Sequence, residues 1–213
     1  MSPRPPAARS ASPRVQLRGE RSRAEILDAA ERLMADAGFA SVSIAQIEQA
    51  SGLPASSIYW HFDSKAGLLL EIMRRGAERF LADVPEMDAI PGPALERARA
   101  IFVTAAEHVG EHPLFLRLML GMSLQSGGAG ETARQVIREV RDQMLARLRV
   151  TIAAIAQEAG VTSDDAIDQA ARATRATLDG GFLAIQLGED FDLKRMAPRM
   201  PEVVLGFLGH PRR

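Results

Sequence analysis

Two short stretches of this chain combine residue types that could do chemistry. The first is His108-Val109-Gly110-Glu111-His112, which has the H-x-x-E-H order of one class of zinc peptidase. That chemistry needs both imidazoles on one face of an unbroken helix, plus a third ligand and a base. Gly110 lies inside the motif and Pro113 follows it directly, so the sequence predicts a helix end here. No third ligand stands nearby in the sequence. A metal-dependent hydrolase built on His108, Glu111 and His112 is thus kept as an alternative; the main expectation is no catalytic residue, no metal and no cofactor. The second stretch is Ile58-Tyr59-Trp60-His61-Phe62, which holds the only tyrosine and the only tryptophan of the chain. Read by themselves, the phenol and indole could be core aromatics and His61 an ordinary surface residue.

Composition narrows the classes. The 213 residues contain no cysteine, which excludes disulfides, thiolate metal sites and cysteine nucleophiles. The longest uncharged run, Gln49 to Phe62, is too short and too polar to cross a membrane. The N-terminus lacks the apolar stretch of a secretory signal, so a cytoplasmic protein without membrane contact is expected. The net charge is −1, so no strong global field draws the chain to nucleic acid.

The elements that must position these residues read as helices almost throughout. Residues 1–20 carry Pro3, Pro5, Pro6 and Pro13 with Arg4, Arg9, Arg14 and Arg18, and are expected to form a disordered basic arm. Ser22 to Glu25 has the order of a capping box, followed by Ile26, Ala30, Leu33 and Ala37 on one helical face and by Gly38 as a stop. Ser43 to Gln46 is a second such box and begins a short helix ending near Ser51-Gly52. Pro54 opens another short helix to about His61. Asp63 and Ser64 can cap a longer one. Further helices are expected at about 94–109, 114–125, 132–159, 163–188 and 193–208, with a flexible loop at 126–130. The expected architecture is all-α with about nine helices. No strand alternation and no repeat is visible.

Two short helices joined by a tight turn with Gly52 make a helix-turn-helix, in which the second helix enters the DNA major groove. From Arg23 to Met73 the chain resembles the DNA-binding domain of the tetracycline-repressor (TetR) family. The matching positions are Ile26-Leu27, Ala29-Ala30, Gly38-Phe39, Ser43, Ile47, Ser51-Gly52-Leu53, the run Ile58 to Phe62, Ser64-Lys65 and Leu68-Leu69. The resemblance implies a division into a helix-turn-helix domain at 21–66 and a helical effector-binding and dimerisation domain at 67–213. It implies phosphate contacts by Ser43, Tyr59 and Lys65, and a groove-facing set of Ala55, Ser56, Ser57, Trp60 and His61. Ile58 and Phe62 would be core.

Two positions depart from the family pattern. Glu48 stands where a small residue is usual, so its carboxylate must face solvent or find a partner. Pro54 to Phe62 holds no lysine or arginine, which removes the commonest base contact, Arg to guanine. Readout must then lean on serine, tryptophan and histidine contacts, thymine methyls and DNA shape. Residues 1–66 hold eight basic and seven acidic groups, so salt dependence is expected to be shallow unless the arm takes part.

The larger remainder offers two stripes and a candidate pocket. Ala170, Ala173, Thr177, Gly181 and Ala184 recur at helical spacing, as do Met200, Val203 and Phe207. Either set could face the chain's own core or a second copy; the resemblance implies a four-helix dimer interface. Phe80, Phe102, His108, Phe115, Met119, Met122, Met144 and Phe182 could line an effector pocket, with Gln125 or Gln186 as further polar anchors. The expected function is a ligand-responsive homodimeric DNA-binding regulator, most simply a repressor of a double-stranded DNA operator. The alternative to it, besides the hydrolase, is a helical scaffold with no DNA role.

Overall fold

The structure, a computed structural model, describes residues 13–124 and 130–209. Residues 1–12 of the expected arm, Gln125 and residues 126–129 of the loop expected at 126–130 lie outside the described residues, while Gly130 is helical. Every regular element among the described residues is a helix, as the sequence predicts. The α-helices are α1 (Pro13–Ala37), α2 (Ile44–Ser51), α3 (Ala55–Phe62), α4 (Lys65–Asp83) and α5 (Ala94–Glu111). They continue with α6 (Pro113–Leu124), α7 (Gly130–Glu158), α8 (Asp164–Gln186), α9 (Leu193–Met196) and α10 (Met200–Phe207). Short 3-10 turns lie at Met87–Ala89 and Ala197–Arg199.

Three boundaries differ from the sequence reading, each for a local reason. The helix expected to start at Ser22 starts at Pro13, so residues 13–20 are not part of an irregular arm. A proline in the first turn costs nothing, because its missing N–H would have had no partner. Glu25 serves an i,i+4 ion pair with Arg21 at 2.9 Å instead of a capping box. Second, α5 runs through Gly110 and ends at Glu111, with His112 as its C-cap. Third, the helix expected over 193–208 is divided at Pro198 and Pro201, which cannot donate the N–H groups a continuous helix needs.

The other caps fall where the sequence places them. Ser43 and Gln46 form a reciprocal capping box at α2. Ser64 accepts from the Gly67 amide at the start of α4, and Ser163 from Ala166 at α8. Gly38 ends α1 at φ 82°, where a side chain would be penalised.

Two apolar cores hold these helices. The first joins α1, α2 and α3 through Ile26, Leu27, Ile47, Ile58 and Phe62. It does not stop at residue 66: Leu69, Ile72 and Met73 of α4, Phe115, Leu118 and Met119 of α6, and Ile137 and Val140 of α7 belong to it. The second core joins α5, the end of α7, α8 and α10 through Ala98, Phe102, Ile152, Ile155, Ala170, Met200 and Val204. Helix α4 ties the two halves. Its Arg75 reaches back to α1, bonding Asp28 at 2.6 Å and Glu31 at 2.5 Å.

Candidate nucleic-acid interface and ligand cavity

The turn between α2 and α3 is built on Gly52, whose left-handed backbone (φ 70°) lets its N–H reach the Glu48 carbonyl. Ile47, Ile58 and Phe62 are buried, so α3 is fixed by its inner face against α1 and α4. The opposite face is open. Trp60 is 76% exposed and Tyr59 50% exposed, which removes the core reading of both aromatics. Ser56 is exposed, while Ala55, Ser57 and His61 are half-buried at the rim. The Trp60 and His61 rings meet edge-on, with centroids 4.5 Å apart. Burial first, and the nearby Arg23 second, hold the His61 imidazole below its ordinary value near 6.5.

Two expected phosphate contacts have other work. The Lys65 ammonium donates to the Phe39 carbonyl at 2.8 Å and the Val42 carbonyl at 2.7 Å, with Ala40 at 3.5 Å. It also lies 4.4 Å from the centre of the Phe39 ring. An ammonium has three donors, and the α1–α2 loop takes two of them at short range. Lys65 is thus a clamp on that loop, and burial pushes its pKa down. The Ser43 hydroxyl donates to Gln46 Oε1 at 3.0 Å and accepts from the Gln46 amide at 3.2 Å. Its capping role leaves the helix N-terminus, more than the hydroxyl itself, to meet an anion. Glu48 is half-buried and makes no side-chain hydrogen bond or ion pair among the described residues; Ile47 beside it is fully buried, so α2 still seats on α1.

A cavity lies between α4, α5, α6, α7 and α8. It encloses about 870 Å³ of atom-free space, its open mouth included. Phe80, Phe102, His108, Phe115, Met119, Met144 and Phe182 line it as expected. Met122 does not; it is buried in the first core, one turn beyond Met119. The sequence reading missed Leu178 and the charged residues Arg141, Arg175 and Asp179, because isolated charges on a helix read as a solvated face. Arg141 and Asp179 bond at 2.6 Å across α7 and α8. Arg175 makes no hydrogen bond or ion pair among the described residues. A second, open cavity of about 500 Å³ adjoins, sharing Phe80, Phe102, Ala105, Met144 and Leu178.

The small-residue stripe of α8 is turned from its expected direction. Ala170 and Gly181 face inward; a Cβ on Gly181 would meet the Phe191 ring at 2.7 Å. Met200 is likewise fully buried. These three belong to the chain's own core, because the gap they leave is filled from inside. Ala173, Thr177, Ala184 and Val203 are half-buried, and Phe207 is exposed. The outward apolar face of α8 runs through Ala176, Gly180 and Leu183 to Leu187. Leu183 is 50% and Leu187 67% exposed, and nothing lies within 4 Å of the Gly180 position.

At the far end of α4, Asp83 Oδ2 lies 2.9 Å from His108 Nδ1. The His108 and His112 ring centroids are 4.9 Å apart, and Phe80 sits edge-on to His108. The sequence reading found no third polar partner for these histidines, because Asp83 is distant in sequence and arrives only through α4–α5 packing. Burial holds the His108 imidazole below its ordinary value near 6.5; the Asp83 carboxylate opposes this and His112 adds to it.

The fold and the exposed second helix of the turn motif define a helix-turn-helix protein with a large helical remainder. Residues 26–72 match the sequence model described as bacterial regulatory proteins, tetR family. The regulator AcrR of Shigella flexneri is 34% identical over 89 residues, covering 41% of this chain and 41% of its own. This chain therefore aligns with about two fifths of that curated relative. The crystal structure of the MbdR regulator from Azoarcus sp. CIB superposes with a TM-score of 0.74 at 19% identity, over 90% of this chain and 100% of that one. FadR from Bacillus subtilis, solved with stearoyl-CoA, gives 0.67 at 19% identity, over 86% and 98%. The sequence match to the tetR family of bacterial regulatory proteins is thus confined to the N-terminal segment that holds the helix-turn-helix, and the solved structures share the fold of the whole chain.

Proposed function

We propose that this chain is a homodimeric, sequence-specific DNA-binding transcriptional regulator, a repressor released from its operator by a small-molecule effector. The observation that carries the reading is the open face of α3: an indole and a phenol stand in solvent on a helix whose other side is fixed in a core. Adjacent exposed aromatics on one helix face make an apolar patch of the kind that marks an interaction surface. Residues 21–66 act as the DNA-binding unit, with α1 already begun at Pro13, and residues 67–213 as the effector and dimer unit. The protein works in the cytoplasm and is not an enzyme. Tyr59 meets a phosphate through its hydroxyl, as does the N-terminus of α2 at Ser43. Ala55, Ser56, Ser57, Trp60 and His61 face the major groove, where shape and thymine methyls carry much of the readout.

Paired half-sites require two recognition helices, hence a dimer. Ala173, Thr177, Ala184, Val203 and Phe207, joined by Leu183 and Leu187, supply the apolar face for it. The effector is mostly apolar, as the cavity wall is, with an acidic group that the Arg175 guanidinium can meet. The stearoyl-CoA held by the structurally similar FadR is consistent with that chemistry. Phe115 and Met119 line the cavity and also belong to the core that seats α1 and α3. An effector that displaces them favours dimers whose recognition helices no longer match the half-site spacing. Anisotropy of labelled DNA from beside the chain's own gene, against an unrelated fragment at two salt concentrations, tests the reading. Selective binding that survives higher salt is expected; equal, salt-sensitive binding to both fragments would contradict it.

A further inference from the structure

We propose that Asp83, His108 and His112 form a binding site for a divalent transition metal ion of the zinc class. One ligand atom from each residue can be chosen so that all three lie within 4.8 Å of one another. A tetrahedral ion with two imidazoles and a carboxylate at about 2.0–2.2 Å has ligand atoms roughly 3.3 Å apart. The observed Asp83 Oδ2 to His108 Nδ1 distance of 2.9 Å is close to such an edge, so modest rotation of the exposed Asp83 and His112 side chains completes the set. Two imidazoles and one carboxylate suit zinc, cobalt or nickel and not the all-oxygen shells of calcium or magnesium.

The surroundings favour a ligating histidine. His108 is only 6% exposed and lies under the edge of Phe80, so its ring orientation is fixed. The His112 ring centroid lies 4.9 Å from that of His108, so the two imidazoles stand side by side at the end of α5.

Position gives the site a consequence. His108 and His112 line both the apolar cavity and an outer polar cleft formed with Asp28, Glu31, Arg79 and Glu111. Asp83 is the last residue of α4, and His112 stands between α5 and α6. A bound ion would therefore pin the end of the helix that joins the two halves. The site uses the two histidines of the H-x-x-E-H order but not its glutamate, so no hydrolase follows.

The inference is independent of DNA binding and is tested without DNA. Metal-stripped full-length protein is titrated with Co²⁺ and followed by its visible absorption, then challenged with Zn²⁺. One equivalent per chain is expected, displaced by Zn²⁺, with a higher melting temperature when loaded. His112→Ala and Asp83→Asn alter exposed side chains and should leave the circular dichroism spectrum intact. Each should weaken Co²⁺ binding at least tenfold. A His61→Gln, His210→Ala double variant, which removes the other two histidines, should bind as the parent does. No saturable binding, unchanged affinity in both ligand variants, or loss only in the double variant would overturn the proposal.

Discussion

Replacing Lys65 by methionine separates two roles that the same residue could have. In the structure its ammonium bridges the Phe39 and Val42 carbonyls at 2.8 and 2.7 Å. Hydrogen bonds from a charged donor contribute about 1.5–3 kcal/mol each, and the half-buried setting argues for the lower end. Two such bonds give about 3 kcal/mol, with about 0.5 kcal/mol more from the Phe39 ring. Methionine fills the space but leaves both carbonyls without their donor. At about 2–4 °C per kcal/mol for a chain of this size, the melting temperature should fall by roughly 7–14 °C. A direct phosphate contact makes a different pattern: an unchanged melting temperature and a salt slope of DNA affinity smaller by about 0.9. Thermal unfolding followed at 222 nm, together with DNA titrations at several salt concentrations, distinguishes them. A melting temperature unchanged within about 1 °C, with the slope reduced by about one, would refute the clamp.

Other perturbations follow from the same geometry. Trp60→Ala should lower operator affinity roughly tenfold or more while leaving thermal stability unchanged, because the indole is 76% exposed; isothermal titration and calorimetry read the two. Acidification should strengthen DNA binding. The free protein holds the His61 pKa below 6.5, whereas phosphates near the bound imidazole raise it, so binding takes up a proton and affinity climbs as pH falls through that interval. His61→Gln should flatten the climb. Gly76→Ala would drive a Cβ into the buried Phe115 ring, costing about 1–3 kcal/mol by overpacking and narrowing the cavity that ring lines; a thermal melt measures the loss.

Much of this protein is legible from local rules. The capping serines at 43, 64 and 163 and the left-handed Gly38 and Gly52 fix boundaries through bonds within a few residues, which a sequence displays. The buried Ile58 and Phe62 stand where the resemblance implies core, and seven of the eight residues expected at the cavity line it. What was not legible depends on approach between distant segments. Lys65 looks like any exposed lysine until packing brings the Phe39 and Val42 carbonyls to it. Asp83 joins His108 only because α4 lies along α5. Rotation of α8 by about one position sends Gly181 inward onto Phe191 and leaves Gly180 and Leu183 outside, a choice spacing alone leaves open. Pro198 and Pro201 were visible, yet the apolar stripe across them disguised the break they impose.

The single tryptophan makes the central claim directly measurable, because Trp60 is the only indole in the chain and stands on the face assigned to the groove. Intrinsic fluorescence of the protein can be followed as unlabelled DNA from beside its own gene is added. The account expects quenching that saturates at one duplex per dimer and is absent with an unrelated duplex at the same salt. Binding seen by anisotropy with no change in Trp60 emission would contradict it, since α3 would then lie away from the DNA.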